Sequence, residues 1–208
     1  QTEHAAELIK KNIQRRKQMI HFVGAGPGAP DLITVRGKQY LEEADVIIYA
    51  GSLVNPQLLE YSKDVCTIYN SAKMTLEEVI SVMEKAEKEG KTTVRLHTGD
   101  PCIYGAIREQ MDILDEKGIA YDSCPGVSSF CGAASALNLE YTLPEISQSV
   151  IITRMEGRTP VPSKESIQSF AAHQASMVIF FKHRNAGRAV KKTDRGRLSG
   201  RYSGCHCL

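Results

Sequence analysis

Nowhere in the 208 residues is there an apolar run long enough to span a bilayer, and no basic start followed by an apolar centre marks a secretory signal. A membrane is therefore not expected as a partner, and the cytoplasm is the expected compartment. Excess charge is scarce as well: 26 Lys and Arg stand against 24 Asp and Glu, a formal net charge of +2. That balance argues against nucleic acid as the main partner. The six cysteines, Cys66, Cys102, Cys124, Cys131, Cys205 and Cys207, include no CxxC pair. Reduced thiols serving mostly as small packing residues are expected, not disulfides. No metal is expected either, because the adjacent Cys205-His206-Cys207 cannot alone make a tetrahedral cage.

What is present is a globular composition, 42% hydrophobic and 24% charged, in a chain long enough for one large domain or two small ones. Met19 to Val23 reads as a strand, and Gly24-Ala25-Gly26-Pro27-Gly28-Ala29-Pro30-Asp31 follows as a loop with a GxGxG pattern. This is a poor dinucleotide loop. Pro27 and Pro30 remove amide donors, the third glycine falls one place short of GxGxxG, and the next strand, Asp45 to Gly51, ends without an acid for a ribose. Leu32 to Glu43 is expected as a helix with Leu32, Val35 and Leu41 near one face. A short helix from Pro56 to Tyr61, a strand around Val65 to Tyr69, and a helix from Thr75 to Ala86 follow. Thr75 and Glu78 form a capping box there, and Gly90 is the stop.

Val94-Arg95-Leu96-His97 reads as a buried strand that runs into Thr98-Gly99-Asp100-Pro101. That turn combines a permissive backbone, a hydrogen-bonding carboxylate and a fixed φ. Ligand sites in α/β folds lie at such strand ends, although the turn alone is equally an ordinary strand-to-helix connection. A helix from Ile103 to Lys117 and a strand from Ile119 to Asp122 are expected next. Cys124-Pro125-Gly126-Val127-Ser128-Ser129 then makes a second turn, into a helix of small residues ending near Asn138. Its small side chains permit close approach of another element or of a ligand. Leu143-Pro144 reads as a hinge. Beyond it come a strand from Ser149 to Thr153, a polar loop from Arg154 to Pro162, a helix from Ser163 to His173 and a strand from Ser176 to Phe181.

The ordered motifs FVGAGPGAPDLIT (22–34), ADVIIYAGSLV (44–54), HTGDPCIYGAIREQ (97–110), CPGVSS (124–129) and TRMEGRTPVP (153–162) carry a resemblance. The chain resembles the tetrapyrrole (corrin/porphyrin) methylase family from Met19 to about Phe180, and most closely the branch that methylates C11 of precorrin-4 or its cobalt form in cobalamin synthesis. The resemblance implies an α/β, two-domain tetrapyrrole methylase-like fold, here with the second domain truncated. It further implies S-adenosylmethionine as methyl donor in a cleft between the domains, a small-molecule tetrapyrrole as substrate, and a homodimer as a candidate assembly. Pro27, Gly99, Asp100, Ile103, Ser128 and Ser129 match positions lining the cofactor site, and Thr98 stands there where relatives often carry glycine. Arg154 and Arg158 are candidates for the substrate's propionate and acetate groups, since arginine binds carboxylates bidentately; the alternative is a pair of exposed loop arginines. The catalytic base has no candidate. Another methylase branch and an inactive fragment of the C11 enzyme stay open as alternatives.

The ends depart from this pattern. Residues 1–18, polar and basic, are expected as a non-native or flexible extension; 19–143 as an N-terminal α/β domain; and 144–181 as the start of a C-terminal α/β domain. Residues 182–208 lose apolar periodicity and read as a frameshifted tail. Plausible codons from Phe180 onward, read one base later, yield a helix-like MLEELLKK and a strand-like AVAIV.

Overall fold

The computed structural model describes residues 19–157 and 159–181. The readings made above for residues 1–18, for Arg158 and for residues 182–208 lie outside the described residues. By spatial contact the chain divides between Gly132 and Ala133, so the hinge expected at Leu143-Pro144 falls inside the second unit.

The first unit is built on a five-stranded parallel sheet: β1 (Ile20–Gly24), β2 (Val46–Tyr49), β3 (Thr67–Asn70), β4 (Thr93–His97) and β5 (Tyr121–Cys124), in the order β3-β2-β4-β1-β5. The chain runs outward from β1 to β3, then returns to lay β4 between β2 and β1 before adding β5 on the far side. Right-handed crossovers put connections on opposite faces when the direction reverses. The two core clusters follow this rule. Helix α1 (Val35–Glu43) and the 3-10 helix Pro56–Tyr61 contribute Leu41 and Leu58 to one face, against Val23, Ile47, Val94 and Leu96. Helices α2 (Leu76–Lys88) and α3 (Arg108–Glu116) contribute Val79, Ile80, Met83 and Leu114 to the other, against Ile20, Phe22, Val46 and Ile48. The alternation of these residues along β1 and β2 is the period of 2 that a sheet imposes.

Three local expectations are corrected. The helix expected from Leu32 begins only at Val35, behind the Thr34 cap, and Val35 is 88% exposed. Gly37 and Leu41 face the sheet instead; a Cβ on Gly37 would stand 3.2 Å from Val23 Cγ1, so glycine lets the helix settle close. The helix expected from Ile103 starts at Arg108, because Tyr104 (φ 56°) and Ala106 (φ 50°) are left-handed and cannot continue a right-handed helix. The stretch expected to be one helix from Ser163 to His173 is a 3-10 turn, Ser163–Glu165, then helix α5 (Ile167–Ala171), separated by Ser166, whose hydroxyl caps α5 by accepting from Ser169 N. Of the cysteines, Cys124 is buried as packing, Cys66 is half-buried, and Cys102 and Cys131 are exposed; all four are free thiols.

Helix α4 (Ser129–Leu137) straddles the division between the units and ends at Asn138, which is left-handed at φ 52°. Among the described residues, the second unit pairs β6 (Val150–Arg154) with β7 (Ser176–Phe180) in parallel. Its small core joins Met155 and Ile167 to Met177, Ile179 and Phe181.

The capping box at α2 is complete: Thr75 Oγ1 accepts from Glu78 N at 3.3 Å, and Glu78 Oε2 accepts from Thr75 N at 2.8 Å. Thr75→Ala is expected to lower stability by about 1 kcal/mol, as a lower urea midpoint with an unchanged slope.

Candidate functional site

The carboxyl ends of β1, β4 and β5 lie side by side, with Gly24 opposite His97 and Val23 opposite Cys124. The loops leaving them are bound to one another through backbone. Ala25 N donates to His97 O at 2.7 Å, and Gly26 and Gly99 exchange two hydrogen bonds, at 3.2 and 2.9 Å. Both glycines have positive φ, 79° and 60°, so the turn needs residues free to adopt it. A Cβ on Gly24 would stand 2.5 Å from Gly99 O and 2.6 Å from Gly126 Cα; one on Gly126 would stand 2.1 Å from Gly99 O. Backbone touches backbone where these strands end, and at Gly24 and Gly126 a side chain has no room.

Asp100 fastens the third loop. Its Oδ1 accepts from Cys102 N at 2.8 Å and its Oδ2 from Gly126 N at 3.1 Å. Burial pushes the carboxyl up, but the hydrogen bonds from the Cys102 side chain, then from the Cys102 and Gly126 amides, outweigh it and hold the group below its ordinary range. Asp100 is thus an anion at neutral pH. Ser128 is buried, and the open side of Gly99 looks onto Ser128 Cα and Ser129 N, each 3.5 Å from a built Cβ. The Pro27 ring fills the space that a side chain on Gly132 would need, at 2.5 Å, which accounts for one small residue of α4 as packing. Pro27, Gly99, Asp100, Ser128 and Ser129 are therefore brought together. Thr98 and Ile103, both half-buried, flank Gly99 and Asp100 in the same loop, where Ile103 N donates to Asp100 O at 3.2 Å.

Arg154, in the second unit, is half-buried and folds onto its own loop, donating to the carbonyls of Met155, Thr159 and Pro160 at 3.4, 3.2 and 3.1 Å. Those acceptors are neutral carbonyls, so none of them cancels the Arg154 charge.

Two arrangements escaped the sequence reading. His21 Nδ1 lies 2.6 Å from Asp122 Oδ1, Tyr40 Oη donates to Asp122 Oδ2 at 3.0 Å, and the His21 and Tyr40 rings stack at 3.9 Å. Burial raises the Asp122 carboxyl, yet His21 and Tyr40 hold it low, while burial and Asp122 push the Tyr40 hydroxyl up to about 12. The trio resembles a catalytic dyad, but it sits toward the amino end of β1 and β5, away from the strand ends, and reads as a packing network. The second is Arg95, only 7% exposed, whose Nε donates to Gln110 Oε1 at 3.2 Å and whose Nη1 donates to Ile48 O at 3.1 Å. Burial lowers its guanidinium to about 10, still charged at neutral pH. An arginine between Val94 and Leu96 in a strand expected to be buried was the available signal.

Residues 19–200 match the family model described as Tetrapyrrole (Corrin/Porphyrin) Methylases. The chain is 59% identical over 175 residues to the cobalt-precorrin-4 C(11)-methyltransferase of Methanocaldococcus jannaschii, covering 84% of this chain and 68% of that protein. It is 45% identical over 161 residues to a precorrin-4 C(11)-methyltransferase of a Sinorhizobium species, covering 77% of this chain and 64% of that protein. Among solved structures, a cobalt precorrin-4 methyltransferase superposes with a TM-score of 0.84 at 42% identity, over 89% of this chain and 77% of that one. The chain thus spans about two thirds of the length of these curated relatives.

Two outcomes follow from this geometry. Gly126→Ala must displace backbone and is expected to cost at least about 1–3 kcal/mol, whereas Gly157→Ala, with nothing within 4 Å of its built Cβ, should be near neutral in the same denaturant titration. His97, 3% exposed at the end of β4, is held neutral: burial first, then the Arg95 charge, lower its imidazole to about 3. A depressed folded pKa means that the unfolded chain takes up the proton first, so this contribution is complete above about pH 6.5 and lost as pH falls toward 3. The wild-type chain should lose up to about 1.4 kcal/mol per pH unit across that window relative to His97→Phe, measured by unfolding at stepped pH.

Proposed function

Because the chain belongs to the tetrapyrrole (corrin/porphyrin) methylase family, we propose that it transfers a methyl group from S-adenosylmethionine to C11 of precorrin-4, in cobalamin biosynthesis. The observation that carries this reading is the convergence of Pro27, Gly99, Asp100, Ser128 and Ser129 on one cluster of strand ends. The cobalt-bound substrate is favoured, since the 59% identical relative and the structure at TM-score 0.84 are both cobalt-precorrin-4 enzymes.

The residues present fit the cofactor. Asp100 is an anion whose oxygens each carry one amide bond and retain acceptor capacity for a ribose hydroxyl or an ammonium group. The hydroxyls of Thr98, Ser128 and Ser129 can donate or accept, and Pro27 and Ile103 offer apolar surface to an adenine. When bound, S-adenosylmethionine supplies a methyl group already activated by its sulfonium. The chain therefore has to align the reactants and exclude water, and needs no Ser-His-Asp or Cys-His nucleophile of its own. Asp100 and the glycine turns hold and orient the methyl donor. Arg154 and Arg158 supply the positive charge for the acceptor's carboxylates.

Incubation with methyl-labelled S-adenosylmethionine and either precorrin-4 or its cobalt complex is expected to place label on C11, faster with the cobalt form. Label on another ring carbon, or on uroporphyrinogen III alone, would move the chain to a different branch. Asp100→Ala is expected to weaken S-adenosylmethionine binding by on the order of tenfold, the equivalent of one charge-assisted hydrogen bond, by calorimetry. An unchanged dissociation constant would remove Asp100 from the cofactor site. Replacing Arg154 and Arg158 together should raise the acceptor KM and leave cofactor affinity intact.

A further inference from the structure

The segment between the Asp100 turn and helix α3 holds two left-handed residues that are not glycine, Tyr104 at φ 56° and Ala106 at φ 50°. Between them Gly105 packs so closely that a Cβ would fall 2.1 Å from Pro101 O. Such conformations persist only where surrounding structure imposes them. Gln110 reaches the segment from inside the fold: its Nε2 donates to Ala106 O at 3.0 Å, while its Oε1 accepts from Arg95 Nε at 3.2 Å. An arginine can only donate and a carbonyl can only accept, so these two neighbours dictate which way the Gln110 amide points. Arg95 is itself fixed by Ile48 O, in the middle of the sheet. A continuous line of hydrogen bonds therefore runs from β2 through Arg95 and Gln110 to the carbonyl of Ala106. Outside, the Tyr104 side chain stands 51% exposed, one residue from Ile103 and four from Asp100.

We propose that Arg95 and Gln110 are positioning residues for the methyl acceptor: together they brace 104–106 as a preset ledge on which Tyr104 meets the flat face of the tetrapyrrole. The identity of the acceptor rests on the function proposed above; the brace does not. A flat conjugated macrocycle is well received by an aromatic ring held in place beforehand, because the ordering cost has been met in folding. A buried arginine with neutral oxygens as partners is costly to keep. Service to a loop at the strand ends gives that cost a purpose that packing alone does not.

Gln110→Glu separates the two halves of the brace. It keeps an acceptor for Arg95 but presents a carboxylate oxygen, with no proton to donate, to Ala106 O. In the full chain this variant should keep its unfolding midpoint, while amides of 102–108 exchange with deuterium roughly tenfold faster. Its KM for the acceptor should rise about tenfold with kcat and S-adenosylmethionine affinity retained, and Tyr104→Ala should match it. Gln110→Met, which leaves Arg95 without that acceptor, should lose stability as well. Titration with uroporphyrin III, a stable flat polycarboxylate followed by its visible absorption, gives a readout independent of turnover: weaker binding by Gln110→Glu and Tyr104→Ala supports the ledge. Unchanged exchange of 102–108 in Gln110→Glu would overturn the brace. Unchanged porphyrin binding by Tyr104→Ala would overturn the ledge. If the wild-type chain transferred no methyl group, the proposed function would fall, and the exchange and porphyrin measurements would still decide this inference.

Discussion

The first unit depends on one steric fact: Gly24, Gly99 and Gly126 occupy the same small space where β1, β4 and β5 end. Sheet neighbours are ordinarily about 4.8 Å apart, and chains leaving a sheet usually diverge from there. Here they converge instead, and the pair of hydrogen bonds between Gly26 and Gly99 closes the gap. Everything chemical about the site follows from that closeness. Asp100 can reach Gly126 N across two loops, Ser128 is buried against Gly99, and Pro27 can lie on Gly132, because no side chain keeps these backbones apart.

Most of this was legible in the sequence, and the physical reasons differ from element to element. β1 and β2 declared themselves through apolar runs followed by glycine, and α2 through Thr75 and Glu78; β3 begins two residues later than the strand expected from Val65, and β5 lies two residues beyond the one expected from Ile119 to Asp122. The two proline-glycine turns marked the strand ends because each residue in them does something that another could not. The early start expected for α3 failed for a non-local reason. Ile103 to Lys117 has good helical periodicity, but Gln110 and the tight packing of Gly105 on Pro101 hold the first five residues out of the helix. The face of α1 was misjudged because Val35 is apolar and exposed, while the residue that lets the helix approach the sheet is the one with no side chain, Gly37.

The polar interior could not be read in the same way. Arg95 and His97 fall on alternate positions of β4, both on the α2 and α3 side of the sheet, where hydrophobic residues were the default expectation. Burial makes the two behave oppositely: the arginine stays charged, and the imidazole gives up its proton. A sequence presents both as basic residues. Likewise His21, Tyr40 and Asp122 lie on three separate elements, and only the parallel pairing of β1 with β5 sets His21 beside Asp122.

The strand order also bears on how the chain assembles as it is made. β1 and β2 never pair with each other; each pairs with β4, which is synthesised after both and must be inserted between them. Until Thr93 to His97 leaves the ribosome, two apolar strands and the helix between them wait with open parallel edges, the condition under which strands find wrong partners. Ile20 cannot meet Thr93 without closing a long loop, so the pairing of β1 waits on β4, although β2 and β3 can pair before it. β4 is the keystone of this nascent arch, and any pause in translation before it prolongs the interval in which a chaperone is of use.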